Sequence, residues 1–350
     1  MAALSISGAM SGDMEWGAPI DAPPFASVYQ PAREAGFVPK RLSEDALRQY
    51  CDEGYCVVQG FPPAMLTPLR LAADRAITRS RRGEWPNSRM CRGQTGEPIP
   101  GRNPDDIWGV SNLLHPDLQE PAFAEYMASP HVLDVVADIL LIPQSERTAA
   151  LELQLVNMLC EPRDQDHDLA WHRDSFVGGD ATQSGYCDPP LPEEKMQLEG
   201  RNFGRDFGTQ WNAALYDDAC LYVVPRSHRR LRTSREKEVC QLLYDEPERR
   251  GCVHMAGEKC VRLKQGEAVY FNSYLIHRGI YTTAAPRASI HACMGRAVRR
   301  DSLGDSDSDF MASKEFVQAL PARLQPLAMN RYADHLTAGW EGGGGGAAKL

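Results

Sequence analysis

Two side chains that could bind one metal ion lie two residues apart, in the stretch Trp171-His172-Arg173-Asp174. In a β-strand, side chains two residues apart point to the same face of the sheet, so His172 and Asp174 could reach the same ion. A further imidazole, His277, lies far downstream. Two histidines and one carboxylate form the facial triad of non-haem iron sites, which leaves coordination positions for a co-substrate and oxygen. These three residues are the candidate metal ligands.

A candidate anion site follows His277 along the chain. In the run from Pro286 to Ala292, alternation places Arg287, Ser289 and His291 on one face of a strand. An arginine inside a barrel is costly without an anionic partner. Its planar fork suits a carboxylate held by two hydrogen bonds. Arg287 is therefore expected to bind a carboxylate near the metal. His291 could reach the barrel lumen, although a hydrogen-bonded core position is the expectation.

The elements that must position these residues are short strands separated by turns. Strands are predicted at 55–59, 148–159, 208–216, 219–224, 260–264, 268–271 and 287–294, and helices at 43–52, 67–82 and 121–142, the last broken at Ser129-Pro130. Strands without regular intervening helices favour an antiparallel jelly roll over a parallel α/β sheet. The predicted fold class is mainly β with flanking helices.

These motifs resemble the phytanoyl-CoA dioxygenase (PhyH) family of Fe(II)/2-oxoglutarate oxygenases, whose pattern is His-x-Asp, a distal His, and Arg about ten positions later. The segment from Ser43 to Val58 is similar to the family's opening helix and strand, and the segments 211–218 and 221–228 are similar to its Trp-x-Ala-Leu-x-Asp and Leu-x-Val-Val-Pro-Gly-Ser-His motifs, with Arg226 in place of the glycine. The resemblance runs from about Ser43 to Arg296 and is closest to fungal members.

The resemblance implies a double-stranded β-helix of the cupin type and a set of cofactors. It implies Fe(II) held by His172, Asp174 and His277, 2-oxoglutarate bound through Arg287 with help from Ser289, and O2 as the oxidant. The expected reaction hydroxylates an unactivated carbon and releases succinate and CO2. Related halogenases lack the carboxylate ligand, so Asp174 favours hydroxylation, desaturation or cyclisation.

Several other residues are candidates for the pocket. The family often places a 2-oxoglutarate contact on the strand at 148–159, where Gln154 and Asn157 are the polar positions. Trp211 is expected to form pocket wall near the co-substrate, with core packing as the alternative. The long segment 83–117 offers Trp85, Arg89, Trp108 and His115 as substrate-pocket candidates, although packing against the barrel rim explains the tryptophans equally well. His167, in a charged stretch, is expected to be exposed.

The chain is predicted to form one domain with extensions. Residues 1–39 are rich in Ala, Gly, Pro and Ser and are predicted to be a flexible arm, followed by a single catalytic domain at 40–340. An insertion at 177–206, directly after two proposed ligands, is interpreted as a lid or as a surface loop. Residues 341–350 form a glycine-rich tail ending in Ala348-Lys349-Leu350, which resembles the Ser-Lys-Leu peroxisomal address. A peroxisomal import receptor is therefore an expected partner, with the cytoplasm as the alternative location.

Composition narrows the range of partners. The chain has 350 residues, 43% of them hydrophobic, and a net charge of -9, which argues against nucleic acid as a partner. Its ten cysteines contain no Cys-x-x-Cys and favour reduced thiols in an intracellular protein. No signal peptide or membrane span is predicted, because the sequence shows no sufficiently long apolar run. A small molecule is the expected substrate.

Two alternatives and the choice of substrate stay open at this point. A cupin-type metal site could act without 2-oxoglutarate, although the position of Arg287 argues against it. A catalytically silent barrel with a binding role is the alternative from another class. An acyl-CoA thioester and an unspecified apolar secondary metabolite are equally consistent with the sequence, because a fold does not select a substrate.

Overall fold

The protein is described from a computed structural model that covers residues 25–92, 98–147, 149–174, 208–230, 232–245, 254–297, 310–311 and 313–330. Two antiparallel sheets form its centre. The larger sheet has the strand order β1-β9-β6-β11-β4-β3-β2 and the smaller one β5-β10-β7-β8. The strands are β1 (Tyr55–Gln59), β2 (Ser88–Met90), β3 (Ile107–Val110), β4 (Leu151–Cys160), β5 (His167–Asp168), β6 (Thr209–Ala214), β7 (Asp218–Val223), β8 (Lys259–Leu263), β9 (Glu267–Phe271), β10 (His277–Tyr281) and β11 (Ala288–Arg296).

Helices flank both sheets. They are α1 (Phe25–Glu34), α2 (Glu44–Glu53), α3 (Pro63–Arg81), α4 (Pro121–Met127), α5 (Pro130–Ile139), α6 (Ser234–Asp245) and α7 (Lys314–Ala319). The sequence marks their ends: Ser43 caps α2 by accepting a hydrogen bond from the backbone N–H of Ala46, and Gly54 ends it with a left-handed backbone. The break predicted at Ser129-Pro130 separates α4 from α5.

The two faces of the larger sheet are both buried, but against different partners. Trp211 of β6 and Ile290 of β11 belong to a hydrophobic core that includes buried residues of α3, α4 and α5. On the opposite face, Val269 and Phe271 pack with Leu221 and Val223 of the smaller sheet. The sheets therefore face one another with a helical layer outside, which is the predicted double-stranded β-helix with flanking helices.

The N-terminal region differs from its prediction. Residues from Phe25 onwards form helix α1 instead of a flexible arm, and both Phe25 and Phe37 are buried. The carboxylate of Asp138 fixes the following segment by accepting hydrogen bonds from the backbone N–H groups of Lys40, Arg41 and Leu42. Burial of two aromatic side chains outweighs the low periodicity that suggested an arm.

Several predicted features lie outside the described residues. These are the rest of the arm before Phe25, the insertion at 177–206 and the tail at 341–350 with Ala348, Lys349 and Leu350. In the part of the chain that the structure describes, no helix is both long and apolar enough to cross a membrane.

Candidate active site

The backbone brings the two candidate histidines together. His172 and His277 form an isolated antiparallel bridge, in which each backbone N–H donates to the carbonyl of the other residue at 3.0 Å. Asp174 follows in a bend, where its N–H donates to the carbonyl of Ser273 at 3.0 Å. Of the stretch 172–174, only His172 takes part in strand pairing, through a single bridge, and Asp174 reaches the same site from the bend that follows.

The three side chains converge on one point. Nε2 of His172 lies 3.3 Å from one oxygen of Asp174, and Nε2 of His277 lies 3.1 Å from the other. One ligand atom from each residue lies within 4.8 Å of the others. Two histidines and one carboxylate, arranged this way, could hold a metal from one side and leave its other positions open.

Hydrogen bonds to backbone carbonyls orient both imidazoles. Nδ1 of His172 lies 2.7 Å from the carbonyl of Ala170, and Nδ1 of His277 lies 2.8 Å from the carbonyl of Leu275. A carbonyl only accepts, so each Nδ1 carries the proton and each Nε2 of a neutral ring presents its lone pair to the centre of the site. Such partners fix the tautomer of metal-binding histidines and raise their basicity.

The carboxylate ligand has its own support. Nε2 of Gln210 donates to Oδ2 of Asp174 at 2.5 Å and holds its orientation. Desolvation raises the pKa of the Asp174 carboxyl, but the charge interactions and hydrogen bonds with His277 and His172 together outweigh it and hold the pKa well below its usual range. Asp174 is therefore an ionised ligand at neutral pH.

Arg287 lies at another part of the same cavity. Its Nε donates to Oδ2 of Asp218 at 2.9 Å, and its guanidinium stacks on the ring of Tyr281, 4.6 Å from the ring centroid. The side chains of Arg287 and Asp218 are only 5% and 6% exposed. Nη1 of Arg287 and Oγ of Ser289 are buried without a hydrogen-bond partner among the described residues. Buried donors of this kind are costly, so both atoms fit an anion that is bound in the working protein.

The triad and Arg287 line one cavity of about 140 Å³. Its other polar lining residues are Arg89, Asn212 and His291. Its apolar lining comes from both sheets and from the flanking strands: Trp108, Leu159, Leu169, Leu221, Phe271 and Tyr281. A few polar groups in an otherwise apolar cavity are typical of a small-molecule site.

The structure places Trp211 away from this cavity, which corrects its interpretation as pocket wall near the co-substrate. Its ring stacks on Tyr270, its Nε1 donates to the hydroxyl of Tyr126 at 2.8 Å, and it is fully buried in the core beneath the helices. The next residue, Asn212, lines the cavity instead. Because side chains alternate along β6, the two neighbours face opposite layers.

Gln154 and Asn157 of β4 likewise do not line the cavity. Oε1 of Gln154 accepts from Sγ of Cys293, and Oδ1 of Asn157 accepts from the backbone N–H of Asn112. The residue of β4 that does line it is Leu159. The two polar side chains therefore hold β4 to its neighbours, and the structure gives them no contact with the cavity.

The four candidates from the long segment divide into two pairs. Arg89 and Trp108 line the cavity. Trp85 and His115 instead pack edge to face, with ring centroids 5.5 Å apart, and Trp85 belongs to the core beneath the helices. Register decides this division, since Arg89 lies opposite Gly109 on the sheet whereas Trp85 precedes the strand.

Two histidines differ from their predictions. His167 is buried and stacks on Trp108 with ring centroids 5.7 Å apart, so the expectation that it is exposed is wrong. His291 lines the cavity, and its Nδ1 lies 2.9 Å from Oδ1 of Asn212. Burial, with a smaller effect from the charge of Arg89, lowers the pKa of His291 to about 3, so its ring is neutral. His291 is hydrogen-bonded as expected, but it also faces the cavity.

Sequence reasoning gave no role to two residues that support the site. Asp218 pairs with Arg287, and Gln210 orients Asp174. A partial signal existed for both: Asp218 ends the tryptophan-containing strand motif, and Gln210 lies two residues before Asn212 on the same strand face. Neither position reveals its partner, because the contacts span 69 and 36 residues.

Solved structures with similar folds include three proteins of low sequence identity. AviO1 from Streptomyces viridochromogenes Tue57 is 16% identical, with a TM-score of 0.49, 74% of this chain covered and 96% of the other. EctD from S. alaskensis with bound Fe is 16% identical, with a TM-score of 0.48 and coverages of 73% and 77%. The carbocyclase SnoK from nogalamycin biosynthesis is 15% identical, with a TM-score of 0.48 and coverages of 79% and 93%.

Comparison of the sequence with curated proteins found no match. The profile of the phytanoyl-CoA dioxygenase (PhyH) family, by contrast, matches residues 50–289, more than half of the chain. This span contains the three candidate metal ligands and the two candidate anion-binding residues, of which Arg287 lines the cavity and Ser289 does not. Members of this family use Fe(II) as cofactor and 2-oxoglutarate and O2 as co-substrates. The geometry adds a group of two histidines and one carboxylate that could hold the metal. The chain therefore belongs to the PhyH family of Fe(II)- and 2-oxoglutarate-dependent oxygenases.

Proposed function

We propose that the protein hydroxylates an unactivated carbon of a small molecule, an acyl-CoA or a secondary metabolite. In this reaction one oxygen atom of O2 enters the product and the other enters succinate, while 2-oxoglutarate loses CO2. The observation that carries the proposal is the presence, in one cavity, of a complete His172-Asp174-His277 triad and of an Arg287 guanidinium with an unsatisfied Nη1.

Each residue of the site has a distinct task in this proposal. His172, Asp174 and His277 would hold the iron, and Gln210 would keep the carboxylate aimed at it. Bound iron with 2-oxoglutarate supplies the oxidising power that no protein side chain has. Among the described residues this group offers three ligand atoms, which would leave coordination positions of the iron for 2-oxoglutarate and O2.

The far end of the cavity would hold the co-substrate. Nη1 of Arg287 and Oγ of Ser289 supply two unused donors for the distal carboxylate of 2-oxoglutarate. The pairing of Nε with Asp218 and the stacking on Tyr281 fix the guanidinium before the anion arrives. A preorganised charge of this kind loses little entropy on binding.

The apolar part of the cavity would bind the substrate. Side chains of Leu169, Leu221 and Phe271 can hold an apolar carbon skeleton and keep water from the reacting atoms. Asp174 occupies the ligand position that a halide would need, so oxygen insertion is the proposed outcome rather than halogenation. The product identifies the reaction: hydroxylation adds one oxygen atom, whereas desaturation or ring closure removes two hydrogens.

The deciding experiment is an anaerobic titration of the metal-free protein with Fe(II) and then 2-oxoglutarate. A weak visible charge-transfer band appears when an oxo acid chelates ferrous iron. We expect the band in the wild type and in His254→Ala, a control whose side chain is 71% exposed. We expect no band in His172→Ala or Asp174→Ala.

Each result has a defined consequence. A band that persists in both ligand variants would reject the triad. Iron binding without a band in the wild type would favour a metalloenzyme that does not use 2-oxoglutarate, and no iron binding would favour a silent barrel. Peroxisomal localisation through Ala348-Lys349-Leu350 remains a separate proposal, supported only by the sequence of that tripeptide.

A further inference from the structure

A second guanidinium faces the cavity without a carboxylate partner. Arg89 of β2 lines the cavity, and its Nε donates to Oγ of Ser111 at 3.2 Å. Its guanidinium carbon lies 5.2 Å from the ring centroid of Trp108. Among the described residues, no carboxylate forms an ion pair with it. Arg287, in the same cavity, is by contrast paired with Asp218.

The route by which Arg89 reaches the cavity depends on a glycine. On the sheet, Arg89 lies opposite Gly109, and Gly109 lies opposite Leu159, which lines the cavity. A Cβ at position 109 would lie 3.2 Å from Cδ of Arg89 and 2.8 Å from the carbonyl oxygen of Met158. The side chain of Arg89 therefore passes over the bare backbone of β3, which a larger residue at 109 would obstruct.

The surroundings of Arg89 orient it but do not neutralise it. Contact with the Trp108 ring and with one hydroxyl fixes the half-buried side chain, yet both partners are uncharged. The positive charge of Arg89 disfavours protonation of His291 and contributes to the lowered pKa of that ring. Among the described residues the Nη groups of Arg89 have no hydrogen-bond partner. An oriented, partly desolvated guanidinium of this kind suits an anion with planar oxygens, which it can hold by two hydrogen bonds.

We propose that Arg89 is a second carboxylate-binding residue of this cavity, separate from Arg287. This inference rests on the proposed function, since it takes the cavity to be the place of the reaction. The carboxylate has two sources, the substrate or 2-oxoglutarate itself. If it belongs to the substrate, the apolar lining formed by Trp108, Leu169 and Leu221 makes that substrate a compact carboxylic acid with an apolar body.

The first arm of the test measures the affinity of the protein for 2-oxoglutarate. Its Kd is determined from the charge-transfer band, anaerobically with Fe(II), in the wild type, Arg89→Gln and Arg92→Gln. Arg92 is a matched control on the same segment, because its guanidinium pairs with Asp105 and does not line the cavity. A Kd raised about 10- to 100-fold in Arg89→Gln alone, the size expected for a charge-assisted hydrogen bond, assigns the carboxylate to 2-oxoglutarate.

The second arm compares the binding affinities of carboxylic acids with those of their amides. Calorimetric titration with 3-phenylpropanoate and 3-phenylpropanamide, and with hexanoate and hexanamide, compares ligands that differ in charge but hardly in shape. If the wild type binds an acid at least about tenfold more tightly than its amide, and Arg89→Gln loses the preference while Arg92→Gln keeps it, the carboxylate is the substrate's. Two results would overturn the proposal. In the first, Arg89→Gln changes neither the Kd of 2-oxoglutarate nor the preference for acids over amides. In the second, the wild type shows no preference for acids and Arg89→Gln leaves the Kd of 2-oxoglutarate unchanged.

The same titrations separate this inference from the proposed function. The acid and amide measurements are repeated on the metal-free protein, where no charge-transfer band is needed. An acid preference that depends on Arg89, in a protein that never forms the band, would support the carboxylate site and reject the oxygenase function. A charge-transfer band in the wild type, together with ligand affinities that Arg89→Gln leaves unchanged, would support the oxygenase function and reject the carboxylate site.

Discussion

Replacing Arg287 by Gln should have two consequences that a second substitution can separate. The side chain of Asp218 is 6% exposed and its partner is Arg287, so the variant leaves a buried carboxylate without its charge partner. Breaking a buried pair from one side costs about 3–5 kcal/mol of folding free energy. Loss of the guanidinium donors also removes about 1.5–3 kcal/mol from the binding of 2-oxoglutarate, a Kd raised roughly 10- to 150-fold.

The double variant Arg287→Gln/Asp218→Asn removes the unpaired charge. We expect it to regain most of the folding free energy, measured by urea unfolding, because two neutral amides replace an isolated buried ion. Binding of 2-oxoglutarate, measured from the charge-transfer band, should stay weak in both variants, while the Kd of Fe(II) stays close to that of the wild type. If 2-oxoglutarate binding recovers together with stability, Arg287 acts only on the fold and its proposed contact is refuted.

The remaining predictions concern the supports of the site and the tail. Replacing Gln210 by Leu should weaken Fe(II) binding about 10- to 100-fold by releasing Asp174, as measured by competition with a chelator; unchanged affinity would contradict the role of this hydrogen bond. Replacing Ser289 by Ala should raise the Kd of 2-oxoglutarate about 2- to 13-fold with little change in unfolding, because its Oγ has no partner among the described residues. Burial lowers the pKa of His291 to about 3 from 6.5, so the unfolded chain takes up a proton that the folded one does not. Stability of the metal-free protein should therefore fall as pH decreases from about 6.5 towards 3, by about 1.4 kcal/mol per pH unit from this group, and His291→Asn should show a shallower slope; equal slopes would contradict a neutral buried ring. Deleting 348–350 should move a fluorescently tagged protein from peroxisomes to cytosol, and an unchanged distribution would reject the address.

The elements of the fold were largely predictable because local chemistry sets their limits. The hydroxyl of Ser43, the left-handed Gly54 and the Ser129-Pro130 break each act within a turn of backbone, so the sequence alone reveals them. Strand β1 was predicted with its observed limits, Tyr55–Gln59, for the same reason. The helix at Phe25–Glu34 was missed because its buried residue, Phe25, joins a core formed with other elements, which local periodicity does not reveal.

The residues of the candidate site were also partly predictable from the sequence. Spacing identified His172 and Asp174, and alternation placed Arg287 and Ser289 on one face. The family pattern linked both pairs to the distant His277. In the structure the three candidate ligands converge, and Arg287 lines the same cavity.

Only the tertiary structure decided which face of each buried strand meets the cavity. Both faces of β6 are buried, so hydrophobicity gives no contrast between Trp211, which packs under the helices, and Asn212, which lines the cavity. Long-range pairing decided the rest: Asp218 meets Arg287 from another strand, and Arg89 enters across the bare backbone of Gly109. The sequence therefore determined which chemical groups are available, and packing of the two sheets and the helical layer determined which of them share one cavity.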